Sequence, residues 1–78
     1  MKKEGVIGYN ENSGRFYISL EDGEIYELHA GEIFEWWNNE SWKWKPVRIE
    51  YNPDNDTWYL IGENNIKYPV WKNMLVRF

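Results

Sequence analysis

Few side chains in this 78-residue chain can do chemistry, and their spacing assembles no catalytic set. His29 is the single histidine and cysteine is absent. A transition-metal site would therefore have to combine one imidazole with carboxylates such as Glu27 or Glu32. A solvent-facing histidine at a strand end is the plainer account, and no metal or other cofactor is expected. One imidazole also leaves any serine a single base to draw on, which undercuts a Ser-His-Asp arrangement. Carboxylates are plentiful, and Glu24, Glu27, Glu35 and Glu50 can approach across strands. Glycoside hydrolysis needs two such groups at a set separation in a cleft, which a domain this small rarely builds. Gly5-x-x-Gly8 fits a strand kink better than a phosphate-cradling loop. The chain reads as non-enzymatic.

The residues with most to offer are tryptophans. In the run Ile33–Trp37, Phe34 and Trp36 share one face of a strand, while Ile33, Glu35 and Trp37 share the other. Adjacent tryptophans cannot both enter one core, so one of Trp36 and Trp37 must face outward, lie under a loop or meet a partner. A four-residue turn, Asn38–Ser41, leads to Trp42 and Trp44, which brings the two pairs close together. Lys43 and Lys45 then project to the opposite side. Long aromatic rings can shield a shallow barrel end; equally, they can form an exposed patch of the residue type most enriched in interface hot spots. Arg48 and Glu50 flank Ile49 and point away from the core. Arg48 is expected either to pair across strands with Glu35 or to form a polar rim around the aromatic patch. The candidate binding residues are thus Trp36, Trp37, Trp42, Trp44, Glu35 and Arg48.

These residues are carried by strands, since no segment has helical amphipathic periodicity. Short β-rich runs alternate with turn clusters at roughly 8–12-residue spacing, the mark of a small barrel or sandwich. The runs are 5–9, 15–20, 24–29, 33–37, 42–45, 47–51 and 57–61. Asp22-Gly23 signals a hairpin between the second and third. Pro46 interrupts a run whose apolar parity changes across it, and a bulge or an edge position accounts for both features. Asn52–Asp56 is a loop. Near the end, one short helical turn is expected around residues 69–73, then a closing strand over 75–78. The expected fold is all-β: one domain over residues 1–78, built as a small SH3-like barrel of five to seven short antiparallel strands.

Several strings along this framework are also familiar together. Tyr26-Glu27-Leu28-His29-Ala30-Gly31-Glu32-Ile33-Phe34-Glu35, Val47-Arg48-Ile49-Glu50, Trp58-Tyr59-Leu60-Ile61-Gly62 and Leu75-Val76-Arg77-Phe78 occur in this order. The set resembles an uncharacterised family of very short bacterial proteins, many from Firmicutes and their mobile elements, known only as a domain of unknown function. The resemblance spans almost the whole chain. Ala30 departs from it, because the family often carries Cys there, which removes any thiol-based role. The aromatic stretch 36–44 is also longer than usual. The resemblance implies a bacterial protein borne on a phage or plasmid and supplies no activity.

Composition narrows the function further. A chain this short without disulfide or metal is near the lower limit for independent folding, so its six Trp, six Tyr and three Phe are expected to build the core. Met-Lys-Lys-Glu-Gly begins like a signal peptide, but no apolar segment follows. No run approaches the roughly 20 apolar residues that span a bilayer, and a cytoplasmic protein without membrane contact is expected. The net charge of −4 is uneven: residues 1–41 hold nine acids and three bases, residues 42–78 four acids and six bases. The leading expectation is a protein-binding module or small inhibitor that uses the tryptophan patch and an acidic face against a protein partner. The alternative is single-stranded nucleic-acid binding, with rings stacked on bases and Lys43, Lys45, Arg48, Lys67 and Lys72 on phosphates, although the acidic balance opposes it. Capture of a sugar or a cation by the rings is a third reading. A homodimer closing the patch across a two-fold axis is also compatible with the sequence.

Overall fold

The structure is a computed structural model that describes residues 2–78. It is all-β: β1 (Glu4–Asn10), β2 (Arg15–Leu20), β3 (Ile25–Glu27), β4 (Ile33–Asn38), β5 (Lys43–Asn52), β6 (Thr57–Ile61), β7 (Lys67–Pro69) and β8 (Leu75–Arg77). The eight strands form one antiparallel sheet in the order β3-β2-β1-β8-β4-β5-β6-β7. Two expectations are corrected here. There are eight strands rather than five to seven, and the sheet is open rather than closed into an SH3-like barrel. Both outer strands are only three residues long, and β7 carries Lys67 and Pro69. Proline cannot donate to a further strand, so this edge resists extension.

Local sequence explains most of the hairpins. Three loops, 11–14, 39–42 and 53–56, share one design: the register closes on Asn10↔Arg15, Asn38↔Lys43 and Asn52↔Thr57. In each, the asparagine Oδ1 accepts the backbone N–H two residues on, from Asn12, Glu40 and Asp54 at 3.0, 2.9 and 3.0 Å. This short polar bridge is what makes Asn a strong turn opener. The fourth loop residue has positive φ: 71° at Gly14, 55° at Trp42 and 53° at Asp56. Asp22-Gly23 forms the expected hairpin, with Gly23 at φ 91°. Asn64 and Asn65, at φ 59° and 60°, turn β6 into β7 as a type I′ turn would.

Pro46 does not break its strand. β5 runs unbroken through it, in constant register with β4 from Ile33↔Arg48 to Asn38↔Lys43. Pairing with β6 starts only at Arg48↔Ile61, so Pro46 is paired on one side alone. The edge position holds and the bulge does not: the parity change reflects a change in which face is apolar. The helical turn expected near residues 69–73 is also absent. Its first residue ends β7, and a simple turn at Lys72-Asn73 leads to β8.

β8 is the splice of the sheet, because it pairs with β1 on one side and β4 on the other. Its Val76 is fully buried beside Ile7 of β1, Ile18 of β2, Phe34 of β4, Val47 and Ile49 of β5 and Leu60 of β6. The core is therefore aliphatic apart from Phe34, which corrects the expectation of an aromatic core. Trp36, Trp58 and Tyr68 pack around it, half-buried. Rings that carry an N–H or O–H settle where one end is apolar and the other reaches water.

Candidate binding face

Alternation along β4 and β5 sorts the tryptophans. Phe34 of β4 and Val47 of β5, which lie opposite one another, point into the core, so the intervening parity, Trp37 opposite Trp44, points out. Their ring centroids are 5.4 Å apart at 64°, and the Trp42 ring stands 6.0 Å from Trp37 at 82°. Trp37 is thus the middle of three edge-on rings. Trp36 is not part of this group. It has the core parity and lies against Tyr68 (5.9 Å) and Trp71 (5.7 Å), with its indole N–H buried and lacking an acceptor.

Trp42 is also misplaced by the sequence reading, which puts it in a strand. It occupies the fourth position of the 39–42 loop, the place filled by Gly14 and Asp56 in the sister loops. A bulky residue at positive φ is a backbone outlier, costing of order 1–2 kcal/mol relative to ordinary conformations. Its side chain nevertheless remains 75 % exposed. A sequence signal for this existed: setting the three asparagines Asn10, Asn38 and Asn52 in line places Trp42 opposite Gly14.

The charges beside the rings are paired among themselves. Arg77 of β8 holds its guanidinium 4.4 Å from the Trp44 ring centroid while its Nε donates to Glu35 at 2.9 Å. Glu35 also accepts from Lys2. The hydrogen bonds from Lys2 and then from Arg77 hold the Glu35 carboxyl below its ordinary range. The expected Arg48–Glu35 pair is not formed; Arg48 donates instead to Glu50 two residues along its own strand, at 2.6 Å. With Glu4 opposite Arg77 in register, this part of the face holds Lys2, Arg48 and Arg77 against Glu4, Glu35 and Glu50. That is a balanced set in a chain of net charge −4. Ile33, 71 % exposed, continues the outward parity below the tryptophans, opposite Arg48.

Of the basic residues named for phosphate contact, Arg48 and Lys67 share the outward parity in the row Ile33, Arg48, Ile61, Lys67. Lys43 and Lys45 have the parity opposite to Trp44, and Lys67 sits 5.3 Å from the Tyr59 ring centroid. A hollow of about 750 Å³ opens elsewhere, between the 11–14 and 53–56 loops and His29-Ala30. There the Trp58 indole donates to the Gly14 carbonyl at 2.9 Å and ties the two hairpins together. Among the described residues no cluster of three His, Cys, Asp or Glu side chains is placed to hold a metal. No helix among them is long and apolar enough to cross a membrane.

A crystal structure of a protein from Ruminococcus gnavus, a structural-genomics target, has the same fold: TM-score 0.77 and 34% identity over 97% of this chain and 100% of that one. No curated protein matches the chain. The sequence pattern of a domain of unknown function, DUF5348, matches residues 5–78. The chain belongs to that family.

Proposed function

We propose that this protein is a non-enzymatic protein-binding module or small inhibitor that docks its partner on the outward tryptophan face. One observation carries the reading: Trp42 stands at a left-handed loop position and is three-quarters exposed. Neither condition stabilises the folded chain, and the sister loops place a glycine and an aspartate there. Strain at a loop tip that displays a hot-spot residue type is the pattern of a functional site. Trp37, Trp44 and Ile33 extend the same apolar surface, and Glu35 with Arg77 forms a pre-ordered polar border. The acidic remainder of the molecule favours a partner with basic character around its contact patch. The bacterial source of the structural relative accords with a bacterial protein; the mobile-element origin that the resemblance implies and a cytoplasmic location belong to the same proposal.

The test is affinity capture from a bacterial lysate with the wild-type chain and Trp42→Gly in parallel, each verified as folded. A partner retained by the wild type and lost, about tenfold or more, by the variant supports the reading, as truncating a hot spot should. Equal retention by both chains contradicts it. Nucleic acid recovered in place of protein, and released by salt, would favour the alternative.

A further inference from the structure

The chemistry of the outward face specifies the kind of segment it takes. From the proposed docking role we infer that its ligand is a proline-rich segment in the polyproline II conformation. The indole N–H groups of Trp37, Trp42 and Trp44 find no acceptor among the described residues; the Trp58 indole, by contrast, is spent on Gly14. Two carboxylates of the face are each engaged at one oxygen, Glu35 by Lys2 and Arg77 and Glu50 by Arg48, and Glu4 stands opposite Arg77 in register. What remains around the rings is apolar area with free indole donors, flanked by charges largely paired with one another. The ligand that complements free indole donors on apolar rings has carbonyl acceptors and apolar bulk, and a proline-rich strand has that composition.

The location argues the same way. An ordinary extended peptide is recognised at a sheet edge, where its N–H groups find carbonyls. Here the edges are the three-residue strands β3 and β7, the latter with Pro69, while the tryptophans occupy the face of central strands. A face presents side chains alone, so a peptide lying on it leaves its backbone N–H groups unmet. Polyproline II needs no backbone partner and arrives with little conformational entropy to lose. Length fits as well. From Ile33 to Trp37 is four strand steps of about 3.4 Å, which Trp42 prolongs, giving room for roughly five or six residues at ~3.1 Å each.

The experiment is a ¹⁵N–¹H correlation titration of the full chain with decaproline, beside a Gly-Ser peptide of equal length and an oligothymidine. The expected result is saturable displacement of the Trp37, Trp42 and Trp44 indole signals by decaproline, with the Trp58 indole unmoved. A dissociation constant below about 1 mM is expected, changing little up to about 0.5 M salt and weakening about tenfold or more in Trp42→Gly. No displacement by decaproline, equal displacement by the Gly-Ser peptide, or displacement by oligothymidine instead would overturn the inference. A protein captured by the wild type but not by Trp42→Gly, alongside a silent decaproline titration, would retain the docking role and remove this ligand class.

Discussion

At the scale of residues, the face is set by two side chains whose neighbours fix what they can do. The Trp42 backbone stays at φ 55° whatever side chain is placed there, because the Asn38 cap and the register Asn38↔Lys43 impose it. Glycine should fit this position better than alanine, by about 1 kcal/mol, since both remove the ring and only alanine keeps the strain. Urea unfolding of Trp42→Gly and Trp42→Ala measures the difference, and equal midpoints would show the loop to be unstrained. Glu35 makes a separate prediction. Its carboxyl is held low by Lys2 and Arg77, so its contribution to stability is complete above the ordinary carboxylate range and disappears as pH falls through the lowered value. Thermal unfolding should therefore separate wild type from Glu35→Gln at neutral pH and bring them together once pH has fallen below the lowered Glu35 value. A gap that widens on acidification would contradict the assignment. That Trp36 and Trp37 take opposite faces was legible from alternation; which of them faces outward was not, because alternation does not say which face meets the core. Nor was the position of Trp42, because a one-residue uncertainty in where the loop ends decides whether it belongs to a strand.

At the scale of elements, what was legible was local. β2 and β6 have the expected limits, and the Asp22-Gly23 hairpin lies where turn chemistry places it. The β8 placement was not legible, since three residues at the end of a chain carry no information about which strands they separate. Its position follows from long-range register, Gly5↔Val76 on one side and Trp36↔Val76 on the other. The β1–β2–β3 group is joined to β4–β7 through this strand, which also supplies Arg77 to the Trp44 ring. Deleting residues 75–78 should consequently abolish cooperative unfolding and dispersed amide signals, as expected when two ladders and a core valine are lost together. A truncated chain that keeps a native-like spectrum would show that the two groups fold without the splice.

At the scale of the molecule, the chain is a slab of 34 × 33 × 19 Å, too thin to enclose its many large rings. Aliphatic side chains and Phe34 fill the middle, and the aromatic residues surround it or leave it. The all-β class followed from pattern, because period-two runs and turn clusters are properties of composition and order. Barrel closure did not follow, because it depends on whether the two edges meet. On the proposed docking role, a chain of net charge −4 binds chiefly through an aromatic face whose flanking charges are paired, and its acidic remainder acts only at longer range. Binding at this face should accordingly depend only weakly on ionic strength, whereas binding through phosphates would weaken steeply with salt. The central claim is that Trp42 serves recognition and not the fold, and the unfolding free energy of Trp42→Gly against wild type tests it without a partner. The ring's edge contact with Trp37 and the relieved strain oppose one another, so a change within about 1 kcal/mol is predicted. A loss of about 3 kcal/mol or more, the cost of truncating a core tryptophan, would contradict it.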